Sequence, residues 1–144
     1  MKQLLISLLL LMQIKNPAHW AYGLKKLNDN TYEVHIRATI DPGWHIYAQK
    51  QLPGAVAVPT KIVFAAQPGL TLVGTPAELG KKDTYTIPEA GVTNYEYAGT
   101  VDFVQKVTVS PDLKEIKGTI TYQTCTHQEC LSEKTISFTV PVNQ

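Results

Sequence analysis

From Tyr32 to Ile40 the chain alternates strictly, with Tyr32, Val34, Ile36, Ala38 and Ile40 apolar and Glu33, His35, Arg37 and Thr39 polar. A period of two is the signature of a half-buried strand that turns one face to a core and the other to solvent. Further strand candidates are Trp44 to Gln49, Thr60 to Ala65, Leu70 to Gly74, Val101 to Val109, Ile116 to Thr124 and Lys134 to Val142. Turn sequences separate them: Asp41-Pro42-Gly43, Leu52-Pro53-Gly54, Gln67-Pro68-Gly69 and Ser110-Pro111-Asp112. No segment shows a sustained helical stripe, and only Ala77 to Lys82 suits a short turn of helix. About seven short strands with regular breaks predict an all-β domain, an immunoglobulin-like antiparallel β-sandwich. A β-barrel is the alternative architecture, since counting strands does not separate the two.

The first residues follow another rule. Lys2 precedes an almost unbroken apolar run from Leu4 to Ile14, interrupted by Ser7 and Gln13 and stopped by Lys15, Asn16 and Pro17. The run is shorter than the roughly 20 residues that a spanning helix needs. It reads as the core of an export signal, residues 1–18, with processing near Pro17 to Ala21 and an uncleaved anchor as the alternative. Residues 19–144 then form one domain, large enough for a core of its own. The expected product is a soluble, monomeric, periplasmic protein. Thirteen basic and twelve acidic residues are interspersed and give a net charge of +1, so nothing points to nucleic acid as partner.

The compartment gives weight to the two cysteines, Cys125 and Cys130, which are the only ones in the chain. Outside the cytoplasm a lone close pair suggests reversible thiol chemistry. Register sharpens the point. Ile116, Ile120 and Tyr122 on one strand and Ile136, Phe138 and Val140 on the next are all even-numbered, so strands sharing a core face must pair even with even. A Cys125 to Cys130 cross-strand pair sets odd opposite even and demands a bulge or irregular turn, expected around Leu131 to Glu133. Irregular geometry favours a strained bridge, and strained or exposed disulfides exchange more readily than structural ones. A merely structural hairpin bridge is the competing reading, although so short a loop removes little chain entropy. A third reading takes Cys125, His127 and Cys130 as soft ligands for Cu(I) or Zn, without a convincing fourth ligand.

The run Tyr122-Gln123-Thr124-Cys125 with a second cysteine a few residues on, and a final strand ending Thr139-Val140-Pro141, resembles the N-terminal (alpha) domain of the thiol:disulfide interchange protein DsbD. Asp41-Pro42-Gly43-Trp44-His45-Ile46-Tyr47 is similar to that domain's Gly-aromatic-x-x-Tyr strand, and Val101 to Val107 to its central strand. The likeness spans Tyr22 to Val142. It implies an immunoglobulin-like domain that relays reducing equivalents from a thioredoxin-like donor to periplasmic disulfide isomerases or cytochrome-maturation thioredoxins, a protein-disulfide reductase component. It implies Cys130 as the residue that forms the mixed disulfide and Cys125 as the one that resolves it. No metal or organic cofactor is required, and the membrane electron donor is expected to be separately encoded.

Around the pair, a protonated or hydrogen-bonding His127 would favour the thiolate and Glu129 would oppose it. Taken singly, each reads first as an exposed loop-tip residue with no role. The resemblance implies that Trp44, His45 and Tyr47 line the site, whereas aromatics on strands are more often core. Gly80 to Gly91 reads as a long polar loop between strands, where lids and binding loops occur. In the family such a cap shields the cysteines with an aromatic; Tyr85 is the candidate here, with Tyr95 and Tyr97 in reserve. His19 and His35 read as surface residues. The alternative function from another class is a noncatalytic β-sandwich for protein or metal binding, with an inert disulfide.

Overall fold

The computed structural model describes residues 15–142, and the apolar run at Leu4 to Ile14 lies outside them. Ten strands follow in order: β1 (Ala18–Lys26), β2 (Thr31–Ile40), β3 (Ile46–Tyr47), β4 (Lys61–Phe64), β5 (Leu70–Leu79), β6 (Asp83–Ile87), β7 (Val92–Tyr97), β8 (Thr100–Val109), β9 (Glu115–Tyr122) and β10 (Lys134–Pro141). Their pairings are all antiparallel and form three sheets, ordered β1-β2-β8-β5, β10-β9-β4 and β3-β7-β6. No helix occurs among the described residues, and none is long and apolar enough to cross a membrane. The fold is an immunoglobulin-like antiparallel β-sandwich.

The core follows the alternation. Val34, Ile36 and Ala38 of β2 are at most 1 % exposed and share a buried cluster with Val101, Phe103 and Val107 of β8 and with Ile116 and Ile120 of β9. Strand β8 is central in its sheet and buried over Val101 to Gln105, which draws polar Asp102 and Gln105 inside. The Gln105 amide donates to the carbonyls of Val73 and Gly74, capping the backbone where β5 shifts register between Val73 and Ala77. Gly69, at φ 86°, makes the turn into β5, and a Cβ there would collide with the Ser110 side chain.

Several expected segments differ. Where a helical turn is expected over Ala77 to Lys82, Ala77 to Leu79 instead end β5, which resumes pairing with β8 after its bulge, and Gly80 to Lys82 connect to β6. Gly80 to Gly91 is not one long loop, because Asp83 to Ile87 pair with Val92 to Glu96 in a hairpin. The strand expected at Trp44 to Gln49 contracts to Ile46–Tyr47, with one more bridge at His45. Strand β1 begins at Ala18, a 2 % exposed core residue, inside the segment expected to hold a processing site. Its even-numbered residues Trp20 and Leu24 pack on the core.

Candidate functional site

The β9/β10 hairpin carries the chemistry. Over the strands proper, Ile136 faces Ile120 and Lys134 faces Tyr122, even with even. Beyond Tyr122 the register changes: Leu131 N–H donates to Thr124 O, Cys125 bridges Cys130, and Thr126 N–H donates to Glu129 O. Gln123 is therefore opposite both Ser132 and Glu133, a bulge within the stretch where parity requires one. The Gln123 amide steadies it by donating to Leu131 O. Thr126 Oγ1 then accepts from the amides of Gln128 and Glu129 and ties the tip into a tight turn.

Within this tip Cys125 and Cys130 form a disulfide with Cα atoms 4.1 Å apart. The two sulfurs have different surroundings. Cys125 is fully buried, and its amide and carbonyl both hydrogen-bond to His45, which ties the hairpin to the β3 segment. Cys130 lies at the surface and borders a cavity of about 340 Å³ that His45, Tyr47, Tyr85 and His127 also line.

Beneath the tip lies a polar cluster. Glu96 on β7 is buried, and its two carboxylate oxygens reach two imidazoles: Oε1 lies 3.0 Å from His127 Nε2 and Oε2 3.2 Å from His45 Nε2. The Tyr47 hydroxyl lies 3.2 Å from the same His45 nitrogen. Burial pushes the His45 imidazole below its ordinary value; the Glu96 charge opposes that shift and His127 adds to it. Burial and the Glu96 carboxylate push the Tyr47 phenol up to about 12. Strand pairing sets these positions, since Tyr47 faces Glu96 in the β3–β7 ladder.

The residues singled out in the sequence separate into two groups. Tyr47, Tyr85, His127, Glu129 and Cys130 line one cavity. Tyr85 on β6 stacks on the His127 ring at 3.9 Å and 6°, so the β6–β7 hairpin meets the cysteine tip through an aromatic contact. Glu129 is exposed and pairs with Lys15 at 3.2 Å. Trp44 stands apart: half-buried, it packs against the core, and the Lys15 ammonium sits 5.7 Å from its ring centre. Tyr97 is a core residue whose hydroxyl donates to Glu78, and Tyr95 packs beside it under Lys82. His19 is exposed beside Asp41, whereas His35 is half-buried and 2.9 Å from Asp102. The thiolate ligand set Cys125, His127 and Cys130 is not offered here, because both sulfurs are in the disulfide. The potential metal ligands brought together are His45, Glu96 and His127. Glu96 escaped sequence reasoning, since a buried carboxylate between Tyr95 and Tyr97 leaves no hydrophobic signal.

Fold and site together define an immunoglobulin-like domain with a disulfide at an irregular hairpin tip. The chain belongs to the family of the N-terminal domain of thiol:disulfide interchange protein DsbD, whose model matches residues 16–141. Among solved structures it is similar to the N-terminal periplasmic domain of ScsB from Proteus mirabilis, with a TM-score of 0.62 and 17 % identity over 88 % of this chain. It spans about half of that chain, 47 % of its length. The yeast GGA1 GAE domain shares the fold at a TM-score of 0.53 and 15 % identity, covering 90 % of this chain and 96 % of its own. The Neisseria meningitidis DsbD N-terminal domain in its reduced form matches at 0.48 and 16 %, over 87 % of this chain and 86 % of its own. No curated protein matches this sequence.

Proposed function

We propose that this domain relays reducing equivalents by thiol:disulfide exchange, with Cys130 as the residue that meets partners and Cys125 as the one that resolves. The observation that carries this reading is the split in exposure across one disulfide, Cys130 at the surface and Cys125 at 0 %. A reducing partner's thiolate attacks Cys130 Sγ, the exposed end, and Cys125 leaves as thiolate. A second partner thiol then displaces Cys130, leaving two thiols here and a disulfide on the donor. Toward an acceptor the sequence reverses. The Cys130 thiolate attacks the acceptor disulfide and one acceptor thiolate leaves; Cys125 then attacks Cys130 Sγ, releasing the second acceptor thiolate and closing the intrachain disulfide. Two electrons enter from the donor and two leave to the acceptor in each cycle, and the exchange itself needs no cofactor.

Thioredoxin-like proteins are the proposed partners, in keeping with the family. A periplasmic location, a separately encoded membrane donor and delivery to disulfide isomerases or cytochrome-maturation thioredoxins complete the proposal. The β6–β7 hairpin serves as the cap, with Tyr85 as its aromatic. Trapping decides the roles: Cys125→Ser accumulates a mixed disulfide with an oxidised thioredoxin-like partner, and Cys130→Ser accumulates none. Equal trapping by both variants would overturn the assignment. Titration against glutathione buffers tests the chemistry, since an exchanging couple has a midpoint above about −250 mV, whereas one below about −300 mV marks an inert structural bridge.

A further inference from the structure

We propose that His45, Glu96 and His127 form a binding site for a divalent cation of the zinc class, beside the closed disulfide. The three ligand atoms lie within 4.8 Å of one another. The Glu96 carboxylate reaches both imidazoles, Oε1 at 3.0 Å from His127 Nε2 and Oε2 at 3.2 Å from His45 Nε2, on the scale of the roughly 3.3 Å ligand spacing around a tetrahedral zinc with bonds of about 2.0 Å. Rotation of the His127 side chain, 51 % exposed on the hairpin tip, would bring its nitrogen toward the Glu96 oxygen that faces His45. His45 and Glu96 are fixed, the first by two backbone hydrogen bonds to Cys125 and the second in the β7 ladder.

An internal hydrogen-bonded cluster accounts for only part of this arrangement. The Glu96 side chain is 8 % exposed, yet Oε2 has no hydrogen-bond partner although it lies 3.2 Å from His45 Nε2. The His45 nitrogen has its well-aligned contact with the Tyr47 hydroxyl instead. A buried carboxylate oxygen left this way costs free energy, and a cation between Oε2 and the imidazole would satisfy it. Two imidazoles and a carboxylate suit zinc, and soft Cu(I) prefers sulfur. The cavity of about 340 Å³ that reaches His45 and His127 leaves room for a fourth ligand such as water. Tyr85, stacked on His127, would be an outer-shell partner of that ligand.

The test uses the full chain with its disulfide closed, verified by the absence of alkylation, so that no thiol competes for metal. Zinc is titrated in competition with a chromophoric chelator, and one zinc per chain is expected. His127→Ala, at an exposed position that leaves the fold intact, and Glu96→Gln are each expected to weaken binding more than about 100-fold. His19→Ala should leave it unchanged. Zinc should raise the thermal midpoint of the native sequence and of His19→Ala, and leave that of His127→Ala unmoved. Failure to bind zinc, or binding that survives His127→Ala, overturns the site. Either result leaves thiol exchange untouched, because the disulfide stays closed throughout.

Discussion

The β1-β2-β8-β5 and β10-β9-β4 sheets bury one face, whereas the β3-β7-β6 sheet buries polar residues as well. In the first pair, inward positions are apolar and nearly fully buried, as in Val34, Ile36, Phe103, Ile116 and Ile120. In the second, one face of β7 gives Tyr97 to the same core, while the other face buries Asn94 and Glu96, and the adjoining bridge is made by His45. The first region is held by area removed from water, which is non-directional and tolerant of polar change at its surface. The second adds to its apolar anchors, Ile46 and Tyr97, directed contacts among a carboxylate, two imidazoles and a phenol, which are costly to leave unmatched. Stability therefore resides mainly in the apolar core, and the disulfide tip that extends from β9 and β10 rests against the region that adds polar contacts.

That division is most sharply tested by Phe103→Ala. Phe103 is fully buried on β8, between Ile36 of β2 and Glu78 of β5, with the Trp20 ring 6.2 Å away. Truncation is expected to cost about 3–5 kcal/mol in urea unfolding. Below the unfolding transition the glutathione midpoint of the cysteine pair should not move. A shifted midpoint would show that core and site are coupled.

Gly118→Ala comes next. A Cβ at this β9 position would stand 2.5 Å from the Phe138 ring and 2.5 Å from the Val63 carbonyl oxygen, and the latter is backbone that cannot swing away. Overpacking of this kind costs about 1–3 kcal/mol. A neutral or stabilising outcome would mean that β4 and β9 separate more easily than the packing implies.

The disulfide should matter less to stability than either of these. It joins residues five apart, and the chain-entropy model gives such a loop about 2 kcal/mol. Reduction is therefore expected to lower unfolding stability by no more than that. A loss above about 4 kcal/mol would instead identify the bridge as a staple and remove the case for a reversible couple.

The contrast also explains what could be read from the sequence. Strand β2 was legible because Tyr32 to Ile40 obeys period two without exception, and the buried residues of the strand are its even-numbered members. The bulge opposite Gln123 was legible from parity alone, since Ile120 and Ile136 are locked even to even while Cys125 bridges Cys130. Strand β1 carries the same alternation in Ala18, Trp20, Tyr22 and Leu24, but it follows the apolar run so closely that it was absorbed into the leader boundary. Strands β6 and β7 were hard to read, because β6 is mostly exposed and β7 is buried on both faces, with Tyr97 on one and Asn94 and Glu96 on the other. For the same reason Cys125, Cys130 and Tyr85 could be named from sequence, whereas the pairing of Glu96 with His45 and His127 needed the fold.

Tyr85→Ala should have the smallest effect on stability and still separate the two regions. The ring is only half-buried, and its principal contact is the stack on His127, so its removal is expected to cost about 1 kcal/mol or less. Its consequence should appear at the cysteines. Tyr85 and Cys130 line the same cavity, so deleting the ring opens a route to the sulfur that the β6–β7 hairpin otherwise narrows. After reduction, alkylation of Cys130 by a small iodoacetamide-type reagent should accelerate several-fold in Tyr85→Ala and remain near the native rate in Tyr85→Phe, which keeps the stacking face. Reactivity depends on access as well as on thiolate fraction, and a pH–rate profile separates them: a change in access raises the rate at every pH without moving the midpoint. An unchanged rate in Tyr85→Ala would remove Tyr85 from the cap. A displaced midpoint would make it a residue that tunes the thiol through His127.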